Sequence, residues 1–323
     1  MTKKVYYYAL MPSDSTALWR IHGVLPYINS KDFLLIDISY NQHFNKDIMK
    51  GADVFIFQRP FTKQHADLIL LCKTLGIKVI LDYDDLLTAV DMYNPTYMLY
   101  KQHQETLFEC LKMADELWVS TPAIKADYKH PNCHVIPNAH NDYTQPLIDK
   151  LAFNNNKKCM YRGGSSHRAD VYEVGEQLVK VVNENPDWQF IFMGDRFEWI
   201  EQRTGENHEI VGGMPIPQYF SYVYKENPSA FIFPLCTTPF NEGKSNICWL
   251  EATYVGAALF GNIRLPEFNK PGVSDIKMLG EAIRGKHYGY MKEQNEKSWE
   301  WICDNVLLSK INQLRVDRIL ANL

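Results

Sequence analysis

Four stretches of this chain combine reactive residue types with positions at the ends of short apolar runs. The first is Tyr161-Arg162-Gly163-Gly164-Ser165-Ser166-His167-Arg168-Ala169-Asp170, between a strand and a helix. Gly163 and Gly164 allow a tight turn, while Ser165, Ser166 and the free backbone N–H groups face whatever enters. The helix start favours an anion. Arg162 and Arg168 add positive charge, and His167 gains functional weight from lying inside the loop. The stretch is neither a GxGxxG fingerprint nor a Walker A loop, so dinucleotide and P-loop chemistry gain little. The competing reading is an ordinary strand-to-helix turn with a capping serine.

The second stretch, Pro239-Phe240-Asn241-Glu242-Gly243-Lys244-Ser245-Asn246-Ile247-Cys248-Trp249-Leu250-Glu251, follows the run Ala230–Pro234. Lys244 is a point charge beside two helix-capping types, Ser245 and Asn246, a combination suited to a diphosphate. Glu251 lies two turns further on, where a carboxylate accepts hydrogen bonds from vicinal ribose hydroxyls. Solvent-facing residues on a surface helix are the alternative. The third stretch, Asp82-Tyr83-Asp84-Asp85, places three carboxylates at a strand's carboxyl end. That is costly unless they are solvated, paired or used. Acceptor contact or catalysis by Asp84 and Asp85, a divalent metal, and capping or interface salt bridges all stay open. The fourth is Met11–Thr16 with Arg20 and His22 beyond it, and Gln58-Arg59-Pro60 is a weaker addition.

These residues need a scaffold that brings strand ends together. Runs at Val5–Leu10, Phe33–Ile38, Val54–Gln58, Lys78–Leu81, Glu116–Ser120 and His134–Ile136 read as strands. Thr62–Leu75, stopped by Gly76, and Tyr97–Ala114 read as helices between them. Strands buried on both faces and alternating with helices predict a covered parallel sheet. The pattern lapses over Asn141–Lys158, read as a linker. It then resumes with strands Cys159–Arg162, Trp188–Met193, His208–Val211, Ala230–Pro234 and Ala257–Gly261, and helices Asp170–Asn183 and Asn246–Tyr254. The tail from Lys292 is helical, with Trp299, Ile302, Val306, Leu307 and Ile311 as its apolar stripe. The expected architecture is α/β, with two Rossmann-like doubly wound domains, residues 1–150 and 151–323, facing each other across a cleft.

Composition narrows the function classes. The 323 residues include 34 Lys plus Arg against 38 Asp plus Glu, a net charge of -4, and 46% are hydrophobic. Residues 1–150 carry 15 basic and 17 acidic side chains, and residues 151–323 carry 19 and 21. Neither half is a basic module, which excludes a whole-surface polyanion binder and leaves room for a local patch. Aromatics reach 13%, a surplus. The seven scattered cysteines form no CxxC pair, so thiols in a reducing cytoplasm are expected rather than zinc or disulfides. No apolar run is long enough to insert stably in a membrane.

The loop Tyr161–Asp170, the Lys244-Ser245-x5-Glu251 pattern followed by Gly256, Leu81–Asp85 and Val135-Ile136-Pro137-Asn138 together resemble short GT-B glycosyltransferases. The resemblance is to the glycogen-synthase-like group (family 4, group 1), and within it to the compact branch of bacteria and bacteriophages. It covers most of the chain and rests on the order of the motifs. It implies a retaining transferase without a required metal or cofactor, the donor a nucleotide sugar such as a UDP-sugar. The first domain takes acceptor, the second takes donor, and the last helix crosses back. Lys244 matches the diphosphate lysine, Ser245 and Asn246 the phosphate cradle, Glu251 the ribose ligand, and Val211–Met214, with Gly213 and Met214, the nucleobase loop. Glu251 stands nine positions after Glu242, where the family's E-x7-E pattern needs eight, so the first glutamate falls at Gly243. Either Glu242 substitutes by a shift, or backbone groups at Asn241 and Gly243 hold the sugar.

Arg162, Lys244 and the Gly163–Ser166 amides are then the stabilisers of the leaving diphosphate. For the acceptor, family habit and absent membrane features favour a hydroxymethylated pyrimidine in double-stranded phage DNA, placing the protein in the host cytoplasm. An envelope glycan or lipid-linked sugar is the alternative, and a non-catalytic nucleotide-sugar binder is a third reading. Trp19, Tyr93, Tyr97 and Tyr100 are the expected stacking surface.

Overall fold

The computed structural model describes residues 2–40, 46–143, 151–285 and 288–323. Its strands form two six-stranded sheets, parallel throughout. The first contains β1 (Lys3–Ala9), β2 (Phe33–Asp37), β3 (Val54–Gln58), β4 (Lys78–Tyr83), β5 (Glu116–Val119) and β6 (Cys133–Val135), in the order β2-β1-β3-β4-β5-β6. The second contains β7 (Lys158–Gly163), β8 (Gln189–Gly194), β9 (His208–Gly212), β10 (Ala230–Phe233), β11 (Ala258–Gly261) and β12 (Val273–Asp275), in the order β12-β11-β10-β7-β8-β9. Strand order reverses between β1 and β3 in one sheet and between β7 and β10 in the other. A crevice opens beyond the carboxyl ends at such points.

The strands are buried on both faces because helices cover both. In β3 all five residues are buried, and alternate ones serve different cores. Phe55 and Phe57 pack with Ile69, Cys72, Leu107 and Leu111 from α1 (Lys63–Thr74) and α3 (Gln104–Met113). Val54 and Ile56 pack with Trp118, Leu308, Ile311 and Ile319. The last three belong to α12 (Leu308–Asn322), which therefore lies on the first sheet although it follows the second in sequence. Five cysteines are buried thiols, and Cys236 and Cys303 are half-buried. Among the described residues no helix is long and apolar enough to cross a membrane.

Several elements depart from their predicted bounds. The predicted helix Tyr97–Ala114 is two, α2 (Tyr97–Gln102) and α3, broken at His103. Asp170–Asn183 is likewise α5 (Arg168–Glu173) and α6 (Gly175–Glu184), and Gly175 lets the Trp199 ring approach the backbone. Strand β4 continues through Asp82 and Tyr83, so those residues belong to the sheet. The tail is not one helix: it breaks at Val306–Leu307, between α11 (Tyr288–Asn305) and α12. The expected domain break near 150 lies outside the described residues. From Leu151 onward the expected linker is already docked. Leu151 N–H donates to the Tyr254 carbonyl, and the Asn154 and Asn156 amides donate to the Asn227 and Glu226 carbonyls at 3.0 Å. Those carbonyls end α7 (Ile216–Glu226), a helix the sequence reading omitted.

The hold of α12 on the first sheet rests on a buried carboxylate. Glu116 is 0% exposed and accepts from Arg318 Nε and Nη2 at 3.0 and 2.6 Å, from Asn322 Nδ2 at 2.8 Å and from Trp118 Nε1 at 2.7 Å. Burial alone would raise its pKa, but these donors outweigh burial and hold it below the ordinary value. Glu116→Ala removes the acceptor of these four donors and of Asn132 Nδ2 at 3.3 Å, and is expected to cost about 3 kcal/mol in urea unfolding. The wild-type contribution is complete above the unfolded-chain pKa of about 4.3 and is lost as pH falls through the lower folded value. Stability that is equally pH-sensitive below 4.3 in Glu116→Ala contradicts this.

Candidate functional site

The reversal points of both sheets meet at one cleft, where three cavities lie side by side. Cavity A, of about 290 Å³, is lined by Arg162 and Gly163 ending β7 with Gly164 after them, by Met193 and Gly194 ending β8, and by Gly213 and Met214 after β9. Ile216, Tyr219 and Phe220 of α7, Glu251 of α9 (Ile247–Tyr254), and Ser15, Leu18 and Trp19 complete it. Cavity B, also about 290 Å³, has Met11, Asp14, Thr16, Gln58, Arg59, Asp85, Tyr100, Ser166 and Lys244 among its lining residues. Cavity C, about 270 Å³ and mostly apolar, shares Leu18, Trp19, Tyr219, Phe220 and Glu251 with cavity A and reaches Tyr254.

Glu251 is the anchor of cavity A. Its Oε2 accepts from Arg162 Nε at 2.8 Å and from the Tyr219 hydroxyl at 2.8 Å. Arg162 also lies over the Phe233 ring, 5.6 Å from its centroid. Gly164 and Gly213 have open space where a Cβ would stand, so a ligand can reach their backbone. Gly163 differs: its missing Cβ would overlap the Tyr161 hydroxyl, so this glycine serves the wall behind the cavity.

Cavity B is built on charge. Lys244 Nζ stands 2.9 Å from Asp85 Oδ1 across the cleft and 4.3 Å from the Phe240 ring centroid. Arg59, after β3, pairs with both Asp84 and Asp85. It does so at φ 49, a left-handed backbone rarely adopted outside glycine. Burial raises the Asp84 pKa against the opposing pull of Arg59. For Asp85, burial is outweighed by Lys244 and Arg59, and the carboxyl is held well below its usual range. Among the described residues no group of His, Cys, Asp or Glu is arranged to hold a metal ion, and these aspartates are committed to cations of the chain.

The remaining expected residues fall in different places. His167 is buried, its Nδ1 2.8 Å from Asp170 Oδ2, with the ring against Phe233. Burial lowers its pKa although Asp170 opposes. Ser166 lines cavity B, whereas Ser165 lines none of the three cavities. Ser245 Oγ accepts from Asn138 Nδ2 at 2.9 Å. Asn246 stands at the N-cap of α9 but makes no side-chain capping bond, contrary to the expected capping pair.

Glu242 is exposed and lines none of these cavities, so it does not stand in for the missing glutamate by a shift. Nor do Asn241 and Gly243 offer free groups. The Asn241 N–H donates to Thr238 Oγ1 and its carbonyl accepts from the Lys244 N–H, while the Gly243 N–H donates to the Phe240 carbonyl and its carbonyl accepts from Thr121 Oγ1. A Cβ at Gly243 would come within 2.8 Å of Leu86 Cβ, which leaves no room there for the family glutamate.

Arg20 does not face the cleft, and His22 lies beside Asp37 at 3.2 Å. The expected stacking surface is divided: Trp19 lines A and C, Tyr100 lines B, and Tyr93 is 77% exposed. Tyr219, Phe220 and Gly194 were missed in sequence. Pro215 and Pro217 around the start of α7, with apolar positions 216, 219, 220 and 223 behind them, were the available signal.

Tyr161 supplies a test of the wall behind cavity A. Its hydroxyl is buried without a hydrogen-bond partner among the described residues and occupies the space a Gly163 Cβ would need. Tyr161→Phe is expected to raise thermal stability by about 1 kcal/mol. Gly163→Ala is expected to destabilise the wild type by more than it destabilises Tyr161→Phe. Equal melting-temperature losses in the two backgrounds would refute the contact.

No protein-family model matches the chain, and no curated protein matches it significantly. Solved structures do. Anabaena HepE in complex with UDP and glucose is 12% identical, with a TM-score of 0.65 over 99% of this chain and 100% of that one. An alpha-glucosyltransferase in complex with UDP and a 13-mer DNA containing a central A:G mismatch is 10% identical, with a TM-score of 0.64 over 99% and 100%. UDP-GlcNAc 2-epimerase from Neisseria meningitidis bound to UDP-GlcNAc is 10% identical, with a TM-score of 0.55 over 99% and 100%. At these identities the likeness is one of fold: the chain has the GT-B fold, two Rossmann-like sheets facing across a cleft.

Proposed function

We propose that the protein is a retaining glycosyltransferase that moves a sugar from a nucleotide-sugar donor to a hydroxyl acceptor. One observation carries this reading: Arg162, Gly163, Gly164, Gly213, Met214 and Glu251, marked in sequence for donor contact, line a single cavity at a strand-order reversal. Likeness in fold to chains that hold UDP, UDP-GlcNAc or UDP with glucose supports it, and favours a UDP-sugar. The motif order of Lys244-Ser245 and Glu251 supports the glycogen-synthase-like group within this fold.

In this reading the nucleobase lies against Gly213 and Met214, and ribose hydroxyls donate to Glu251. The diphosphate extends past Gly164 toward Ser166 and Lys244. As the bond from the anomeric carbon to the phosphate oxygen breaks, negative charge grows on the diphosphate. Lys244, Arg162 and the loop amides oppose that charge in a site of low dielectric. The acceptor hydroxyl enters through cavity B, and its proton passes to the departing phosphate, so no side-chain base is required. Asp170 orients the His167 ring next to Ser166 of that loop.

For the acceptor we propose a hydroxymethylated pyrimidine in double-stranded DNA, in the cytoplasm of a phage-infected host. The fold likeness to a glucosyltransferase holding DNA supports this, and an extruded base finds aromatic and apolar groups at Tyr100, Leu99 and Met11 beside cavity B. A second reading, a glycan or lipid-linked acceptor, is favoured by the exposed Met92, Tyr93, Met98 and Leu99 near that mouth. A UDP-sugar panel, read by thermal shift and then by mass spectrometry of hydroxymethylated DNA and glycan acceptors, separates the two. Epimerised sugar without transfer product would replace both. Lys244→Ala is expected to lower turnover at saturating donor by about 10²–10³-fold. Unchanged turnover would remove Lys244 from the chemistry.

A further inference from the structure

Both cations offered to the diphosphate are already paired with carboxylates of the chain: Arg162 with Glu251, and Lys244 with Asp85. A diphosphate that reaches either must therefore displace an anion, and the two displacements differ in cost. Glu251 would keep only the neutral Tyr219 hydroxyl. Asp85 would keep a full cation, because its Oδ2 is held by Arg59. Arg59 in turn also pairs with Asp84, and its backbone N–H donates to the Asp82 carbonyl at 2.9 Å. The four charges of this cluster, Arg59, Lys244, Asp84 and Asp85, balance. A diphosphate brings further negative charge to this cluster and competes with Asp85 for Lys244.

We propose that Asp85 is a built-in counter-ion that the donor diphosphate displaces from Lys244, and that its freed Oδ1 then holds the acceptor hydroxyl in cavity B. This rests on the glycosyltransferase reading and adds an exchange to it. Asp85 and Lys244 approach from opposite sheets and both line cavity B, so the exchange stays within one site. The two halves remain joined while it happens. Thr121 Oγ1 to the Gly243 carbonyl at 3.2 Å, Asn138 to Ser245 at 2.9 Å and Thr238 to Asp91 at 3.0 Å do not involve the pair. Donor binding thereby prepares the acceptor side, and by linkage acceptor binding strengthens donor binding.

The test is calorimetric binding of UDP and of inorganic pyrophosphate to wild type, Asp85→Asn, Lys244→Gln and the double variant. Asp85→Asn is expected to bind both ligands about tenfold more tightly than wild type, because Lys244 loses its internal partner. The gain should vanish in the double variant. With the donor found by the panel, Asp85→Asn should also transfer more slowly despite tighter binding. Asp85→Ser, which removes the same charge with a smaller side chain, serves if the amide disturbs packing. Unchanged or weaker binding in both Asp85 variants, with wild-type binding intact, overturns the exchange alone. No binding of UDP or pyrophosphate to wild type overturns the exchange together with the function on which it rests.

Discussion

A guanidinium out of reach of water has to find its partners inside the protein, and Arg20 does so in the interior of the first half. It is 1% exposed, and Nε and Nη2 grip Asp82 at 2.8 and 2.7 Å. Nη1 donates to the Ile136 carbonyl at 2.6 Å and to Asn138 at 3.1 Å. One side chain thus fixes the segment after β1, the end of β4 and the segment after β6. Asn138 carries the connection across to Ser245, the neighbour of Lys244. Removing either member would strand a charge in the interior, so the pair constrains geometry more than it adds net stability. The positions of Asp84 and Asp85 follow from it, since they leave the sheet directly after the strand that Asp82 anchors.

The two sheets were legible because parallel strands buried on both faces leave unbroken apolar runs, such as Val54–Phe57. The loop at the end of β7 followed from that, and with it Arg162 and Gly164, whereas Gly213 came only from the family resemblance. What the sequence hid were pairings between distant positions. Nothing local distinguishes Asp82, spent on Arg20, from Asp85, which faces Lys244 from the other half of the chain. Asn154 and Asn156 look like a polar linker because their hydrogen-bond partners, at the end of α7, lie some seventy residues away. The break at His103 falls within a stretch whose apolar positions, Leu99, Leu107, Leu111 and Met113, were only partly in register with one helix.

The aromatic surplus has a mixed origin. Phe55, Phe57, Phe190, Phe192, Tyr83 and Trp118 are fully enclosed, filling the wide spaces between sheet and helix. A smaller group works at the cleft, where Trp19 and Tyr219 separate cavity A from cavity C, and Tyr100 borders cavity B. The enclosed rings account for much of the excess, and the cleft rings account for the division of one opening into chambers.

The chain returns from the second half to the first at a place where it lies against its own outward path. His140 N–H donates to the Val306 carbonyl at 2.9 Å, and Leu308 N–H donates to the His140 carbonyl at 2.7 Å, a parallel bridge in miniature. The His140 ring is held between Tyr254 and Trp299 of the second half. The outward and return crossings are thus tied to each other as well as to the two halves, so a change at residues 306–308 is felt directly at His140 and at the rings that hold it.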